Sequence, residues 1–142
     1  MKPSSLPLLF VSAAAWALAS GASAQTVDVD YGKAEYTASC AGCHGPTGKG
    51  DGHFKQFLTR APSDLTRLTK TNGGAFPAQR VYDVIDGAKV VPGHGTREMP
   101  IWGATYRAQA IAQSPGMSSN AQAYARTQIN LLVDYVYRLQ EK

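Results

Sequence analysis

The stretch Cys-Ala-Gly-Cys-His at residues 40–44 decides the fold of this chain. Two cysteines separated by two residues and followed at once by a histidine form the attachment signature of c-type haem. The spacing has a chemical reason, because thiols about one helical turn apart can add to the two vinyl groups on one edge of the porphyrin. The adjacent imidazole then reaches the iron as proximal ligand. We therefore predict one haem c, covalently held by Cys40 and Cys43, with His44 on the metal.

Two other uses of a Cys-x-x-Cys pair stay open, namely zinc binding and thiol–disulfide exchange. Zinc would need a further thiolate or imidazole at suitable spacing, whereas a redox dithiol does not need the adjacent histidine. Cys40 and Cys43 are the only cysteines in the chain, so the sequence holds no second attachment site of this kind. Covalent haem is the favoured interpretation.

Residues 1–24 are predicted to be a cleaved signal peptide, which leaves the domain at 25–142. Lys2 supplies the positive start, an apolar stretch follows at 6–19, and Ala-Ser-Ala at 22–24 has the small-x-small pattern of a cleavage site. The alternative is a retained membrane anchor, but the apolar stretch is shorter than the about 20 residues that span a bilayer. We therefore expect export to the periplasm, with no stable membrane anchor after cleavage.

The charge of the chain is weakly positive. The formal net charge of the whole sequence is +4, and loss of Lys2 with the signal peptide lowers it by one. A ferric haem with both propionates ionised lowers it slightly further. So weak an electrostatic field argues against nucleic acid as a partner. It does not indicate which surface of a partner protein the chain would dock on.

Helical segments separated by glycine- and proline-rich loops predict one all-α domain of ordinary small size. Asp30 and Asn120 are the expected N-caps of the first and last helices, and Gly87 is expected to end the second. No segment has the alternating pattern of a strand. The helices are expected over 31–41, 78–86 and from about 121 to 139, with a shorter one within 103–112.

Met99 is the expected second axial ligand. It lies in a loop 55 residues after His44 and directly before Pro100, which lets the chain pass round the haem to the opposite face. Proline holds the preceding residue in an extended conformation, and this favours presenting the thioether to the iron over burying it in a helix. The alternatives are a core-filling methionine at this position, and Met117 or His94 as the ligand in its place.

The chain resembles a class I cytochrome c of the bacterial monohaem kind over nearly all of residues 25–142. The similarity implies a small fold in which the N- and C-terminal helices cross around one covalently bound haem, with Tyr135 packed on Gly32. The motifs that carry it are Gly32-x-x-x-Tyr36-x-x-x-Cys40-x-x-Cys43-His44-Gly45, Gly48-x-Gly50-x-Gly52, Pro62-x-Asp64-Leu65-Thr66, Met99-Pro100-x-Trp102-Gly103 and Leu131-Leu132-Val133-Asp134-Tyr135-Val136.

The resemblance also implies roles for residues after the attachment motif. The Pro62 carbonyl would accept a hydrogen bond from the ring N–H of His44 and so orient the imidazole. Leu65, in the same motif, is counted with Pro62 among the haem-binding residues. The chain departs from the mitochondrial type in spacing, since Pro62 comes later and extra sequence separates Trp102 from the last helix.

Three side chains around Met99 are further candidates for contact with the haem. Trp102 and Tyr106 follow it closely and would wall the haem or reach a propionate through the indole N–H or the hydroxyl. Arg97 would pair with a propionate, the alternative being a solvated loop charge.

A haem with both histidine and methionine on the iron has no open position for oxygen, peroxide or substrate, and methionine favours the ferrous state. The expected function is therefore one-electron transfer in the periplasm, from a dehydrogenase towards a terminal oxidase or another cytochrome, without enzymatic activity. The alternative is a cytochrome subunit of a periplasmic dehydrogenase, because Met-Pro-x-Trp-Gly at 99–103 is similar to cytochromes serving molybdenum or quinoprotein dehydrogenases, sulfite dehydrogenase among them. A haem peroxidase or gas sensor would need a missing or labile sixth ligand. The loop that carries Met99 argues against this alternative, because it supplies a ligand for that position.

Overall fold

The structure, a computed structural model, describes residues 28–89 and 99–142. The predicted signal peptide and the candidates His94 and Arg97 lie outside them. Within the described ranges the chain forms helices and no strand, which confirms the all-α prediction. The α-helices are α1 (Tyr31–Ser39), α2 (Ala41–His44), α3 (Leu68–Thr71), α4 (Ala78–Asp86), α5 (Trp102–Gln113) and α6 (Ala121–Arg138), and 3-10 helices occur at His53–Phe57, Leu65–Arg67 and Pro115–Asn120.

The helix boundaries follow the local signals closely. α4 spans the predicted residues, and α1 begins where expected because the Asp30 side chain accepts a hydrogen bond from the backbone N–H of Lys33. α1 ends at Ser39, two residues earlier than predicted, because the chain turns at Cys40 to enter α2.

The expected capping role of Asn120 is wrong. Its side chain makes no capping hydrogen bond, and its backbone angles (φ −96°, ψ −4°) are helical instead of extended. The reason is that the preceding 3-10 helix runs directly into α6. A residue in that position already belongs to a helix and does not adopt the geometry of an N-cap.

The hydrophobic core forms around α6. Its buried residues recur every three or four positions and so form one apolar stripe along the helix. Burial of a side chain such as Ile129 or Leu132, both fully buried, contributes roughly 1.5–3 kcal/mol. The buried cluster consists of Tyr36, Ile85, Tyr106, Ala125, Ile129, Leu132, Tyr135 and Val136.

α1 and α6 approach each other at Gly32. A Cβ atom at this position would lie only 2.6 Å from the Leu131 carbonyl oxygen and 3.2 Å from the Cβ of Tyr135. The helix pair is also tied by Arg138, whose guanidinium donates two hydrogen bonds of 2.7 and 2.8 Å to the Asp30 carboxylate. These bonds hold the pKa of Asp30 well below its usual range. The packing of Tyr135 on Gly32 agrees with the family resemblance.

Replacing Gly32 by valine is expected to destabilise the fold by about 1–3 kcal/mol, because the side chain must push α6 away. Equilibrium denaturation should show a lower midpoint with an unchanged slope. Ala34→Val is the matched control, since Ala34 is exposed on the same helix and the change adds the same branched side chain. By helix propensity alone, Gly32→Val would be slightly stabilising, because valine is a better helix former than glycine. An unchanged or raised midpoint for Gly32→Val would therefore mean that α6 does not restrict this position.

The residues after α6 fasten the segment that faces the attachment motif. The Gln140 carboxamide donates to the Leu65 carbonyl oxygen and accepts from the backbone N–H of Thr69, both at 2.8 Å. The backbone N–H of Glu141 donates to the Thr66 carbonyl oxygen at 2.9 Å. The 65–69 segment is therefore held in place by side-chain and backbone bonds from the far end of the sequence.

Within the described residues, no helix combines the length and the apolarity needed to cross a bilayer.

Candidate functional site

The Cys-Ala-Gly-Cys-His stretch folds as one tight turn of helix. The backbone N–H of Cys40 donates to the Tyr36 carbonyl oxygen at 2.8 Å, which closes α1. The N–H groups of Cys43 and His44 both donate to the Cys40 carbonyl oxygen, at 3.1 and 2.9 Å. No disulfide joins Cys40 and Cys43. Local backbone bonds thus set the one-turn separation that attachment to two vinyl groups requires.

The protonation of Cys40 speaks against thiol–disulfide exchange. Burial raises the pKa of its thiol to about 12, and the nearby Glu35 and Cys43 add to the shift. The thiol is therefore neutral at physiological pH, whereas an exchange centre works through a cysteine of lowered pKa. Among residues 28–89 and 99–142, no group of three or more His, Cys, Asp or Glu side chains is arranged to hold a metal ion.

His44 is buried, and its Nδ1 lies 3.1 Å from the Ser63 carbonyl oxygen. When Nδ1 carries the ring proton and donates it to this oxygen, Nε2 keeps the lone pair that a metal needs. The structure therefore corrects the expected Pro62 acceptor by one residue. The reason lies in the turn opposite, because the Pro62 carbonyl points at Gly50, where a Cβ atom would collide with its oxygen.

The loop that follows His44 is fixed by three hydrogen bonds. The Tyr36 hydroxyl donates to the Gly45 carbonyl oxygen at 2.8 Å, and the backbone N–H of Gly50 donates to the His44 carbonyl oxygen at the same distance. The N–H of Leu65 donates to the Gly48 carbonyl oxygen at 2.7 Å. These bonds hold the backbone of the 44–50 loop in place, while the ring itself is oriented by the contact of its Nδ1 with the Ser63 carbonyl oxygen.

A cavity of about 580 Å³ opens beside His44, within the about 300–1,000 Å³ typical of small-molecule and cofactor sites. A second pocket of about 50 Å³ shares Cys40, His44 and Met99 with it, so the two are adjoining parts of one cleft. The larger part is lined mainly by apolar side chains of Tyr36, Leu65, Leu68, Val81, Val84, Ile85, Leu132 and Val136.

The cleft brings together most of the residues predicted for the site. Arg97 and the alternative ligand His94 lie outside the described residues, as does the side chain of Met117. The predicted residues that line the cleft are Cys40, Cys43, His44, Pro62, Leu65, Met99 and Trp102.

Sequence reasoning missed two basic residues of the cleft and misplaced an aromatic one. Arg80 and Lys89 line the larger part, and neither belongs to an ion pair among the described residues. No pattern in the surrounding sequence marks either residue as part of a cleft. Tyr106 was expected to wall the haem or reach a propionate, but its hydroxyl instead donates to the Glu35 carboxylate at 2.7 Å.

This donor set fits a haem. The walls suit an apolar macrocycle, and two thiols stand at one edge beside an imidazole and a thioether, the side chains of His44 and Met99. Arg80 and Lys89 provide positive charge that can pair with ionised propionates.

Comparison with known families agrees with this reading of the cleft. A family model described as cytochrome c matches residues 29–140. No individual curated protein and no solved structure matches the chain significantly.

Proposed function

Since the chain belongs to the cytochrome c family, whose covalently attached haem c serves electron transfer, we propose that His44 and Met99 are the axial ligands and that the protein carries single electrons between redox proteins of the periplasm. The haem supplies the one-electron couple. The observation that carries the proposal is that Cys40, His44 and Met99 line both parts of one cleft.

The segment after Met99 supports its role, because it is anchored on the end of α4. A Cβ atom at Gly87 would collide with the Ile101 side chain, and one at Gly103 would collide with Asp86. Asp86 in turn forms an ion pair with Arg107 at 3.3 Å. Fixed contacts on this side of Met99 limit how far its thioether can leave the cleft, which favours a stable ligand over a labile one.

An apolar surface beside the attachment motif supports docking of a redox partner there. The 3-10 helix His53–Phe57 packs on α2, and the Phe54 ring lies where a Cβ of Gly42 would be. Phe54 is 48% exposed and Phe57 is 75% exposed, so two large apolar side chains of one 3-10 helix are available for a partner to pack on. We call these two side chains the Phe54–Phe57 surface. Transient electron-transfer interfaces are small, below about 1,200 Å², which a surface of this extent suits.

Phe57→Ser is expected to slow bimolecular electron exchange about fivefold, since this corresponds to a loss of roughly 1 kcal/mol in the encounter complex. The reduction potential and the absorption spectrum should stay unchanged, because Phe57 does not line the cleft. Stopped-flow mixing with a purified dehydrogenase or oxidase from the same periplasm measures the rate. Ile111→Ser is the matched control, an exposed apolar residue on α5. Equal rates for the two variants would place docking elsewhere.

The experiment that tests the function itself compares carrier and enzyme behaviour. The purified ferrous protein should be reoxidised slowly by oxygen, show little peroxidase activity and exchange electrons rapidly with a periplasmic dehydrogenase or oxidase. The weak net charge predicts a shallow salt dependence of that exchange rate. Substantial peroxide turnover by the native protein would contradict the proposal. Isolation only as a tight stoichiometric complex would identify a dehydrogenase subunit instead of a free carrier.

A further inference from the structure

Two hydroxyl groups converge on the carboxylate of Glu35. The Tyr106 hydroxyl donates to Oε1 at 2.7 Å, and the Ser39 hydroxyl donates to the same oxygen at 2.6 Å. Glu35 is half-buried on α1, and Tyr106, on α5, is only 1% exposed. Both hydroxyl groups thus donate to one carboxylate oxygen, which has two lone pairs to accept them.

The network borders the haem cleft. Ser39 lines the smaller part of the cleft beside Cys40, and Trp102 lines it as well. The Trp102 ring packs against the Tyr106 ring with centroids 5.9 Å apart. The carboxylate also acts electrically on the attachment site, because after burial it is the largest contributor to the raised pKa of the Cys40 thiol. Glu35 is therefore linked through Ser39 and Tyr106 to the part of the cleft that holds Cys40.

Among residues 28–89 and 99–142, no basic side chain forms an ion pair with this carboxylate. The ion pairs among residues 28–89 and 99–142 join Arg107 to Asp86, and Arg138 to Asp30 and Asp134. Glu35 takes part in none of them and is held by hydroxyl groups alone. Placing an unpaired carboxylate in a partly buried position is costly. Neither haem attachment nor axial ligation accounts for it.

We propose that Glu35 is a potential-setting residue, whose unpaired carboxylate favours the ferric over the ferrous state and lowers the reduction potential of the haem. The proposal rests on the proposed function, since it requires a haem on Cys40. The physical reason is that the oxidised haem carries one more positive charge than the reduced haem. A partly buried carboxylate attracts that charge with less screening by solvent and salt than an exposed carboxylate does.

This effect opposes that of the methionine ligand. A methionine on the iron favours the ferrous state, whereas a fixed negative charge near the thioether edge favours the ferric state. The potential of the protein is then the balance of Met99 and Glu35. A substitution at either residue moves it in a known direction.

The test is a spectroelectrochemical titration of the holoprotein with Glu35→Gln, which keeps the shape of the side chain and removes its charge. At a fixed ambient potential, the ferrous-to-ferric ratio should rise about tenfold, which is a shift of about 59 mV for a one-electron couple. Asp134→Asn is the matched control, because it removes the same charge from a side chain that is 65% exposed on α6. Solvent screening should keep its effect on the ratio below about twofold.

Two further variants separate charge from structure. Glu35→Asp keeps the negative charge and should leave the ratio within about twofold of the unsubstituted protein. Tyr106→Phe removes one hydrogen-bond donor and keeps the charge, so the ratio should not rise, even if Glu35→Gln yields no holoprotein.

The proposal is overturned if Glu35→Gln shifts the ratio no more than Asp134→Asn does. It is equally overturned if Glu35→Asp or Tyr106→Phe raises the ratio as much as a lost charge would, since the role would then be structural. An unsubstituted protein without covalent haem would overturn this proposal and the proposed function together. If Glu35→Gln has a normal haem and normal axial ligands but an unchanged ferrous-to-ferric ratio, only the proposal on Glu35 is overturned.

Discussion

Replacing both Cys40 and Cys43 by alanine is expected to leave the protein without covalent haem. Each thiol forms a separate thioether, so either single variant can retain one bond while the double variant retains none. The turn itself should survive, because it is closed by backbone bonds to the Cys40 carbonyl that alanine also makes. Loss of haem would therefore report the missing chemistry and not a changed local fold.

Intact mass after acid–acetone extraction is the measurement. The unsubstituted protein should exceed the mass of the processed chain by one haem, and the double variant should match the chain alone. Ala38→Ser, an exposed change on α1, is the control and should keep its haem. Haem that is extracted from the unsubstituted protein would contradict covalent attachment, and a mass that includes residues 1–24 would contradict cleavage of the signal peptide.

Met99→Ala is expected to remove the sixth ligand while the haem stays attached. The freed position should then admit water or cyanide, and the reduction potential should fall by on the order of 0.1–0.2 V, out of the about 0.8 V over which axial ligands set haem potentials. The potential falls because the thioether no longer favours the ferrous state. The contacts of Ile101 and Gly103 with α4 should keep the neighbouring backbone in place.

Absorption spectroscopy and redox titration check this result together. Thioether ligation of ferric iron gives a weak charge-transfer band at long wavelength, and Met99→Ala should abolish it. Met117→Ala is the control and should retain both the band and the potential. If Met117→Ala or His94→Ala removed the low-spin spectrum while Met99→Ala left it intact, the ligand assignment would be wrong.

The helices could be predicted because their signals are local. Apolar spacing and the Asp30 cap lie within a few residues of the segments they define, and the structure follows them. The Asn120 cap could not be judged in the same way, because it depends on whether the preceding residues are themselves helical. Likewise, which carbonyl meets His44 depends on the close approach of Pro62 to Gly50, which no local pattern encodes.

The residues of the candidate site also fall into two groups, those that a local sequence pattern marks and those that only the packing of the chain brings together. The attachment motif and Met99 were singled out by a fixed spacing and by an adjacent proline, and these residues line the cleft. Ligation of the iron by Met99 stays a prediction. The Glu35–Tyr106 bond joins residues 71 positions apart, which come together because α1 and α5 both pack on α6. The basic residues Arg80 and Lys89 could not be predicted as part of the cleft for a similar reason. Nothing in the sequence around them distinguishes a cleft-lining cation from a solvated one.

The residues of the candidate site come from both halves of the chain, and the contact between α1 and α6 holds these two halves together. Gly73 and Gly74 lie exposed between them, where an added Cβ atom would meet nothing. Exposed loop tips of this kind tolerate a backbone cut. One fragment would then hold the haem through its two cysteines, and the other would bring Met99 and α6. We expect non-covalent reassembly of the two fragments along α1 and α6 to bring the proposed iron ligands His44 and Met99 together again, which would give a split redox protein.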